Sequence, residues 1–274
     1  MYKTAMMNST KIAIAGSAGR MGRQLIAAAV QAGHEVSGGS EAPGGSSIGR
    51  DLGSLAGLEP LGVFASDQVN EAAKGAQIWI DFTVPRVTLD NLKHLADLGV
   101  QGVVIGTTGF SDAEEQEIAA AAGSLAIVKA GNFSLGVNLL EALVKQAAAR
   151  LGPDWDIEVL ETHHKHKVDA PSGTALMLGN AAALGRGEDL SAVKRAPYDG
   201  PDAKRAAGEI GFSVRRSGGV IGDHEVTFGS EMEIVSLRHT ALDRAVFAHG
   251  AIKAAEWCTE QRAGLYDMAD VLGL

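Results

Sequence analysis

A single cysteine, Cys258, in 274 residues leaves no partner for an internal disulfide. Its helical, apolar surroundings mark it as a packed thiol rather than a nucleophile, and a chain without disulfides suits a reducing cytoplasm. Positive charge is also short. Lys and Arg number 24 against 33 Asp and Glu, a net charge of −9, so no basic field exists to attract nucleic acid or an anionic membrane surface. No apolar run reaches the length of a membrane span, and the first ten residues hold too short an apolar stretch for a signal peptide and read as a loose leader. What remains is an ordinary globular composition, 46% hydrophobic and 21% charged, in a chain long enough for two domains.

Against that acidic background one segment stands out. His163-His-Lys-His-Lys167 places three of the eight histidines and two lysines in five consecutive positions, and the chain then enters Pro171-Ser-Gly-Thr174. Charge runs are usually solvated surface. This one lies between two apolar stretches, Ile157 to Leu160 and Ala175 to Gly179, which read as a buried strand and a buried helix, and charges so placed line a cleft. Alternation along a strand would send neighbouring cations to opposite faces, so they converge on one ligand only if the strand ends here. Ser172 is suited to cap the following helix, leaving the N–H groups of Gly173, Thr174 and Ala175 to meet a carboxylate or phosphate. A small, multiply anionic substrate fits this description.

The N-terminal half has a different character. Lys11 to Ala15 reads as a strand, Gly16-Ser-Ala-Gly19-Arg-Met-Gly22 as a glycine turn, and Gln24 to Ala32 as a helix. Gly16 would permit the tight turn, Gly19 the approach of a pyrophosphate and Gly22 the packing of helix on strand. The spacing is GxxGxxG rather than the commoner GxGxxG. A second strand, His34 to Gly39, leads to Glu41, placed about twenty residues on where a ribose-binding acid is expected. Alternation continues through Ile78 to Asp81, a helix from Pro85 to Leu98, Gly102 to Gly106, a helix opened by a Ser111/Glu114 capping box, and Leu125 to Val128. Repeated strand-helix units predict a Rossmann-type parallel sheet with helices on both faces and ligands outside the strands' carboxyl ends. Three loops fall at that edge: Asp81 to Pro85, Gly106 to Phe110, and Ala130 to Ser134. Their shared small polar composition predicts a nicotinamide-ribose surface.

From Ser134 the pattern changes to a long helix ending near Leu151, the cationic strand, a helix, a polar loop from Gly185 to Arg205, and three strands: Glu209 to Arg216, Gly219 to Phe228, and Glu231 to His239. This predicts an α+β domain with a mixed or antiparallel open sheet. The last helix, Asp243 to Gln261, is expected to brace the first domain, giving a dinucleotide-binding domain of residues 1–133 completed by 243–274, and a substrate-binding and oligomerisation domain of 134–242. An open sheet with an apolar face needs a cover, which predicts subunit association through it.

Gly16-Ser-Ala-Gly-Arg-Met-Gly22, Asp81-Phe-Thr83, Gly106-Thr-Thr-Gly-Phe110, Gly131-Asn-Phe-Ser134, Glu161-Thr-His-His164, Lys167-Val-Asp-Ala-Pro-Ser-Gly-Thr174 and Ile210-Gly-Phe212 together resemble the 4-hydroxy-tetrahydrodipicolinate reductase family of diaminopimelate and lysine synthesis. The match runs in order along nearly the whole chain, and His-His-x-x-Lys-x-Asp-Ala-Pro-Ser-Gly-Thr is its most specific part. The resemblance implies an NAD(P)H-dependent oxidoreductase that reduces a cyclic 2,6-dicarboxylate with loss of water, and a homotetramer built through the second-domain sheet. It implies Lys167 as proton donor and His163 as donor/acceptor. His164, Ser172, Gly173 and Thr174 are then the substrate-binding residues. Cofactor binding falls to Gly16, Ser17, Ala18, Gly19, Arg20, Met21, Glu41, Phe82, Thr83, Gly106, Thr107, Thr108, Ala130, Gly131, Asn132 and Phe133. Lys165 and His166 fall between matched positions and are expected to be supportive or exposed.

One departure concerns the cofactor. Many relatives that accept NADPH place an arginine directly after the ribose-binding acid, whereas this chain has Glu41-Ala42. NADH is therefore the expected preference, with Arg20 and Lys11 left as cations for NADPH. Three other readings compete with the reductase. His164-x-His166 has metal-ligand spacing, but Lys165 and Lys167 repel a divalent cation and no nearby carboxylate or cysteine completes a set, so no metal is expected. A nucleotide-sensing module without chemistry would leave the cationic cluster without purpose, and no helix-turn-helix signal supports a DNA-bound sensor. Another amino-acid dehydrogenase of the same plan differs only in substrate, which fold alone does not fix.

Overall fold

The computed structural model describes residues 9–195 and 197–274. The chain runs β1 (Lys11–Ala15), α1 (Arg20–Gln31), β2 (Glu35–Ser40), α2 (Leu52–Leu55), β3 (Ala65–Ser66), α3 (Val69–Ala72), β4 (Ile78–Asp81), α4 (Pro85–Leu95), β5 (Gly102–Ile105), α5 (Asp112–Ala121) and β6 (Ala126–Lys129). It continues α6 (Leu135–Leu151), β7 (Asp156–His163), α7 (Gly173–Gly185), α8 (Leu190–Val193), β8 (Lys194–Arg195), β9 (Ile210–Arg216), β10 (Gly222–Gly229), β11 (Ile234–Ala241), α9 (Ala245–Cys258), β12 (Gly264–Tyr266) and α10 (Met268–Leu272). Two compact units result, one from residues through Phe133 with Ala245–Gly273, the other from Ser134–Arg244.

In the first unit seven strands form one sheet in the order β12-β6-β5-β4-β1-β2-β3, with every pairing parallel. Burial on both faces explains why these strands read as apolar runs rather than alternating ones. Leu25, Ile26, Ala251, Ala255 and Met268 cover one face. Leu89, Leu92, Leu95 and Ile118 cover the other, against Trp79 and Val103. Because β1 has β2 on one side and β4 on the other, the strand order reverses there and opens a crevice at its carboxyl end, where the glycine turn lies. Gly16 occupies the left-handed region at φ 63°, and a Cβ on Gly22 would sit 2.2 Å from the Gly16 carbonyl oxygen. Helix α1 can approach the strand closely only because that position is bare.

The second unit is a five-stranded mixed sheet, β11-β10-β7-β9-β8, in which β7 pairs β9 in parallel and β10 antiparallel. Its apolar face carries Ile157, Val159, Phe212, Val226 and Phe228, packed under Val144, Leu178 and Ala182 of α6 and α7. The cover that this apolar face was expected to need comes from the chain's own helices. The opposite face bears Glu158, Leu160, Thr162, Asp223, Thr227, Ser236 and Arg238, half-buried to exposed, and it is largely polar.

The elements that sequence periodicity did not reveal are α2, β3, α3, α8, β8, β12 and α10, each of two to five residues. Elements that short do not complete a recognisable repeat.

Candidate active site

The first unit offers a carboxyl-end edge of closely tied loops. Within the glycine turn the N–H of Ser17 donates to the Ser40 carbonyl at 3.2 Å and that of Gly19 to the Gly16 carbonyl at 2.9 Å. Glu41 is latched onto the same turn, its carboxylate accepting from the Ala18 N–H at 2.5 Å and the Ser17 hydroxyl at 3.3 Å. Arg20 is exposed and Met21 half-buried at the start of α1. Lys11 is a correction. It opens β1 at the amino end and pairs with Glu35 at 3.4 Å, so it lies at the end of the strand opposite the ligand edge and cannot meet a cofactor phosphate there. Arg20 is left as the cation of the two.

Sequence reading gave Asp81 no role of its own, yet this fully buried carboxylate fastens two of the three loops together. It accepts from the Thr83 N–H at 3.0 Å, the Thr83 hydroxyl at 2.5 Å, the Thr88 hydroxyl at 3.0 Å and the Asn91 amide at 3.1 Å. Thr107 donates to it at 3.3 Å. The hydroxyls of Thr83 and Thr107 are thus turned inward. Phe133 is likewise buried, 5.2 Å from Phe82 between ring centroids, so a ligand could meet its main chain but not its ring. A Cβ on Gly106 would fall 2.0 Å from the Phe82 ring. Thr108 and Gly131 are exposed, with Ala130 and Asn132 half-buried. Bare glycines at Gly16, Gly22 and Gly106, beside an acid held at the turn, fit a dinucleotide lying along this edge.

In the second unit, strand alternation builds the site. The inward face of β7 runs Ile157, Val159, Glu161, His163, so two apolar rows give way to two polar ones at its carboxyl end. Register brings His224 of β10 opposite Glu161, and Arg216 of β9 opposite His163. Glu161 is 1% exposed. Its carboxylate accepts from both ends of the Arg216 guanidinium, at 2.8 and 2.9 Å, from the Ser172 N–H at 3.0 Å, and from Nδ1 of His163 at 2.6 Å. Burial pushes the Glu161 carboxyl up, but Arg216, His163 and the Ser172 N–H outweigh it and hold the group below the usual carboxylate range.

The strand ends at His163, and the remaining cations follow in a turn. Lys165 and His166 are exposed, while His164 and Lys167 are half-buried. The ammonium of Lys167 lies 2.8 Å from Asp169. Lys167 lowers the Asp169 carboxyl despite burial, and the Gly173 N–H adds to the effect. A built-in carboxylate therefore stands at the predicted anion site. Ser172 caps α7, its hydroxyl accepting from the Ala175 N–H, so Ala175 is not among the free donors that the sequence suggested. Thr174 is half-buried and has interactions of its own. Burial pushes His164 down, and Arg244, His163, His166 and Lys167 push in the same direction. The surroundings of His164 are electropositive, and Arg244 is a contributor that no motif marked.

His224 is the remaining buried group, 4% exposed, with Nε2 3.1 Å from the Ser172 hydroxyl and its ring 5.1 Å from that of His163. Burial pulls it down to about 4, with His163 adding to the effect. Between the ordinary value of 6.5 and about 4, the unfolded chain takes up a proton that the folded one refuses. Stability contributed by neutral His224 is therefore present above pH 6.5 and lost as pH falls towards 4, a change of about 3 kcal/mol at most. Urea unfolding of the native chain and His224→Gln at matched pH should show a shallower acid loss in the variant; parallel slopes would contradict this account. Cys258 is buried and its thiol is pushed up to about 12, as expected of a packed thiol.

Comparison with known proteins bears on both units. Residues 10–133 match the family model described as dihydrodipicolinate reductase, N-terminus, and residues 136–272 match dihydrodipicolinate reductase, C-terminus. A 4-hydroxy-tetrahydrodipicolinate reductase of Parvibaculum lavamentivorans is 51% identical over 271 residues, covering 98% of this chain and 100% of that protein. One from Rhodopseudomonas palustris is 48% identical over 269 residues, covering 98% and 99%. Among solved structures, a dipicolinate-bound dihydrodipicolinate reductase from a Paenisporosarcina species superposes with a TM-score of 0.75 at 25% identity, covering 95% of this chain and 98% of that one. An amine dehydrogenase from Mycobacterium smegmatis shares the fold, with a TM-score of 0.64 at 16% identity over 95% and 96% of the two chains.

Proposed function

Because the chain belongs to the dihydrodipicolinate reductase family, we propose that it reduces 4-hydroxy-tetrahydrodipicolinate to tetrahydrodipicolinate with loss of water, in diaminopimelate and lysine biosynthesis. It is an NAD(P)H-dependent oxidoreductase. The observation that carries the substrate assignment is the gathering of Lys167 and Arg244 about His164 at the turn after β7, where a carboxylate already rests on Lys167. A cyclic molecule with two carboxylates matches that charge.

The first unit's edge holds the dinucleotide in this reading. The turn residues Gly16, Ser17, Ala18, Gly19, Arg20 and Met21 face its pyrophosphate, Glu41 its ribose, and Phe82, Thr83, Gly106, Thr107, Thr108, Ala130, Gly131, Asn132 and Phe133 its nicotinamide half. When bound, NAD(P)H supplies the hydride. Glu41-Ala42 favours NADH over NADPH. In the second unit His164, Gly173 and Thr174 bind the substrate carboxylates, displacing Asp169 from Lys167, while Ser172, buried with its N–H on Glu161 and its hydroxyl on the α7 cap and His224, is corrected from ligand to a residue that orders the turn. Lys167 then gives a proton to the reduced carbon-nitrogen system, and His163 acts as donor/acceptor. Charge neutralisation at that point removes the cost of the negative charge that hydride addition leaves.

A homotetramer is part of the proposal, supported by the unpaired edge at β11 and its exposed Ile234. A cytoplasmic location is also part of the proposal; no helix among the described residues is long and apolar enough to cross a membrane.

Binding of pyridine-2,6-dicarboxylate tests the pocket without turnover. A bound dianion offsets the positive charge that helps hold His164 down, so calorimetric titration at mildly acid pH should show proton uptake on binding. Proton-neutral binding, or none, would remove this pocket as the dicarboxylate site.

A further inference from the structure

The chemistry assigned to His163 and Lys167 leaves unused an ion pair between buried Glu161 and half-buried Arg216. Glu161 and Arg216 are 55 residues apart in sequence and meet only because β7 and β9 run in parallel register, with His163 opposite Arg216. Their contacts reach His163, the cap of α7 and the turn that carries Lys167. The Glu161 carboxylate accepts from Nδ1 of His163 at 2.6 Å and from the Ser172 N–H at 3.0 Å, just ahead of α7. Arg216 clamps that carboxylate at 2.8 and 2.9 Å and donates to the Asp169 carbonyl at 2.6 Å. Asp169 in turn holds Lys167 at 2.8 Å.

Desolvation of the Glu161 carboxylate offsets much of the attraction, so the pair's presence on the inward face points to a use beyond stability. An ionised carboxylate only accepts hydrogen bonds. The proton between Glu161 and neutral His163 must therefore sit on Nδ1, which leaves Nε2 as the ring's lone-pair nitrogen. Packing keeps the ring in place. A Cβ on Gly222 would lie 3.2 Å from Nε2 of His163, and the His224 ring meets the His163 ring edge-on at 5.1 Å.

We infer that Glu161, clamped by Arg216, is a positioning residue that fixes the tautomer and orientation of His163 and ties it to the turn that carries Lys167. The inference rests on the reading of His163 given above, but its first test does not depend on turnover. In nitrogen-15 spectra of histidine-labelled native protein, with the signal identified by its loss in His163→Gln, neutral His163 should show a protonated Nδ1 and a bare Nε2. The opposite tautomer would overturn the inference, even if the enzyme proves to be the proposed reductase.

Glu161→Gln supplies the kinetic arm. A glutamine side chain cannot accept all four hydrogen bonds through one oxygen, so the neutral His163 ring should populate both tautomers. The value of kcat should fall about 10- to 100-fold with KM nearly unchanged, and Glu161→Asp should recover part of the loss. Full activity in folded Glu161→Gln, or a loss confined to KM with the tautomer unaltered, would contradict the inference. If Glu161→Gln fails to fold, the tautomer of the native protein still decides. Retained turnover in His163→Ala would instead remove the proposed role of His163 and leave the tautomer result standing.

Discussion

Replacing Lys167 with alanine is expected to lower kcat by about 100- to 10,000-fold while the fold survives, the range typical for loss of a positioned proton donor. The side chain is half-buried, in a turn beyond the end of β7, and among the contacts described above it touches only Asp169. Little of the core depends on it, so the variant should unfold at nearly the native denaturant concentration. Lys167→Arg separates two roles. Arginine keeps the positive charge but does not release a proton near neutral pH. If Lys167→Arg recovers substrate affinity without recovering turnover, proton donation is the function; full recovery of both would reduce the lysine to a charge. His163→Ala should also cut turnover strongly. Near-native turnover in either folded alanine variant would take that residue out of the mechanism.

Catalytic efficiency with NADH is expected to exceed that with NADPH by about 100-fold, since a like-charge juxtaposition costs several kcal/mol at a close contact. Glu41 does not hang free. It is fixed on the glycine turn through the Ala18 N–H and the Ser17 hydroxyl, so it cannot easily swing from an added 2′-phosphate. Ala42 offers no cation, and Lys11 lies at the amino end of β1, paired with Glu35. Arg20, exposed at the head of α1, is what remains. Glu41→Gln should narrow the preference, and Ala42→Arg should raise efficiency with NADPH by about tenfold, equivalent to about one charge-assisted hydrogen bond. Equal efficiency of the two cofactors in the native protein would contradict this assignment.

The sequence disclosed features that depend on neighbouring residues. Ser172 caps α7 and Ser111 with Glu114 forms a capping box, because both motifs act over three residues and are written out locally. The parallel sheet was legible from the repeated apolar strands, and the end of β7 at His163 from the turn that follows. Long-range partners were not legible. Nothing local connects Glu161 to Arg216 or to His224; strand register makes those contacts. Asp81 appeared only as part of a motif, although it binds the loops after β4 and β5 into one edge. Arg244 follows β11 in an unremarkable stretch, yet its charge reaches His164. The apolar face of the second sheet was legible, but not that α6 and α7 would cover it. Lys11 differs from its expected place for another reason. As the first residue of β1 it belongs to the end of the strand away from the ligand edge, and strand direction alone could have shown this.

The central claim is the reaction itself. Its most direct test is the initial rate of NADH and NADPH oxidation by purified, folded protein supplied with enzymatically generated 4-hydroxy-tetrahydrodipicolinate, each cofactor varied separately. The account predicts substrate-dependent oxidation that is faster with NADH. Absence of oxidation with either cofactor would contradict it.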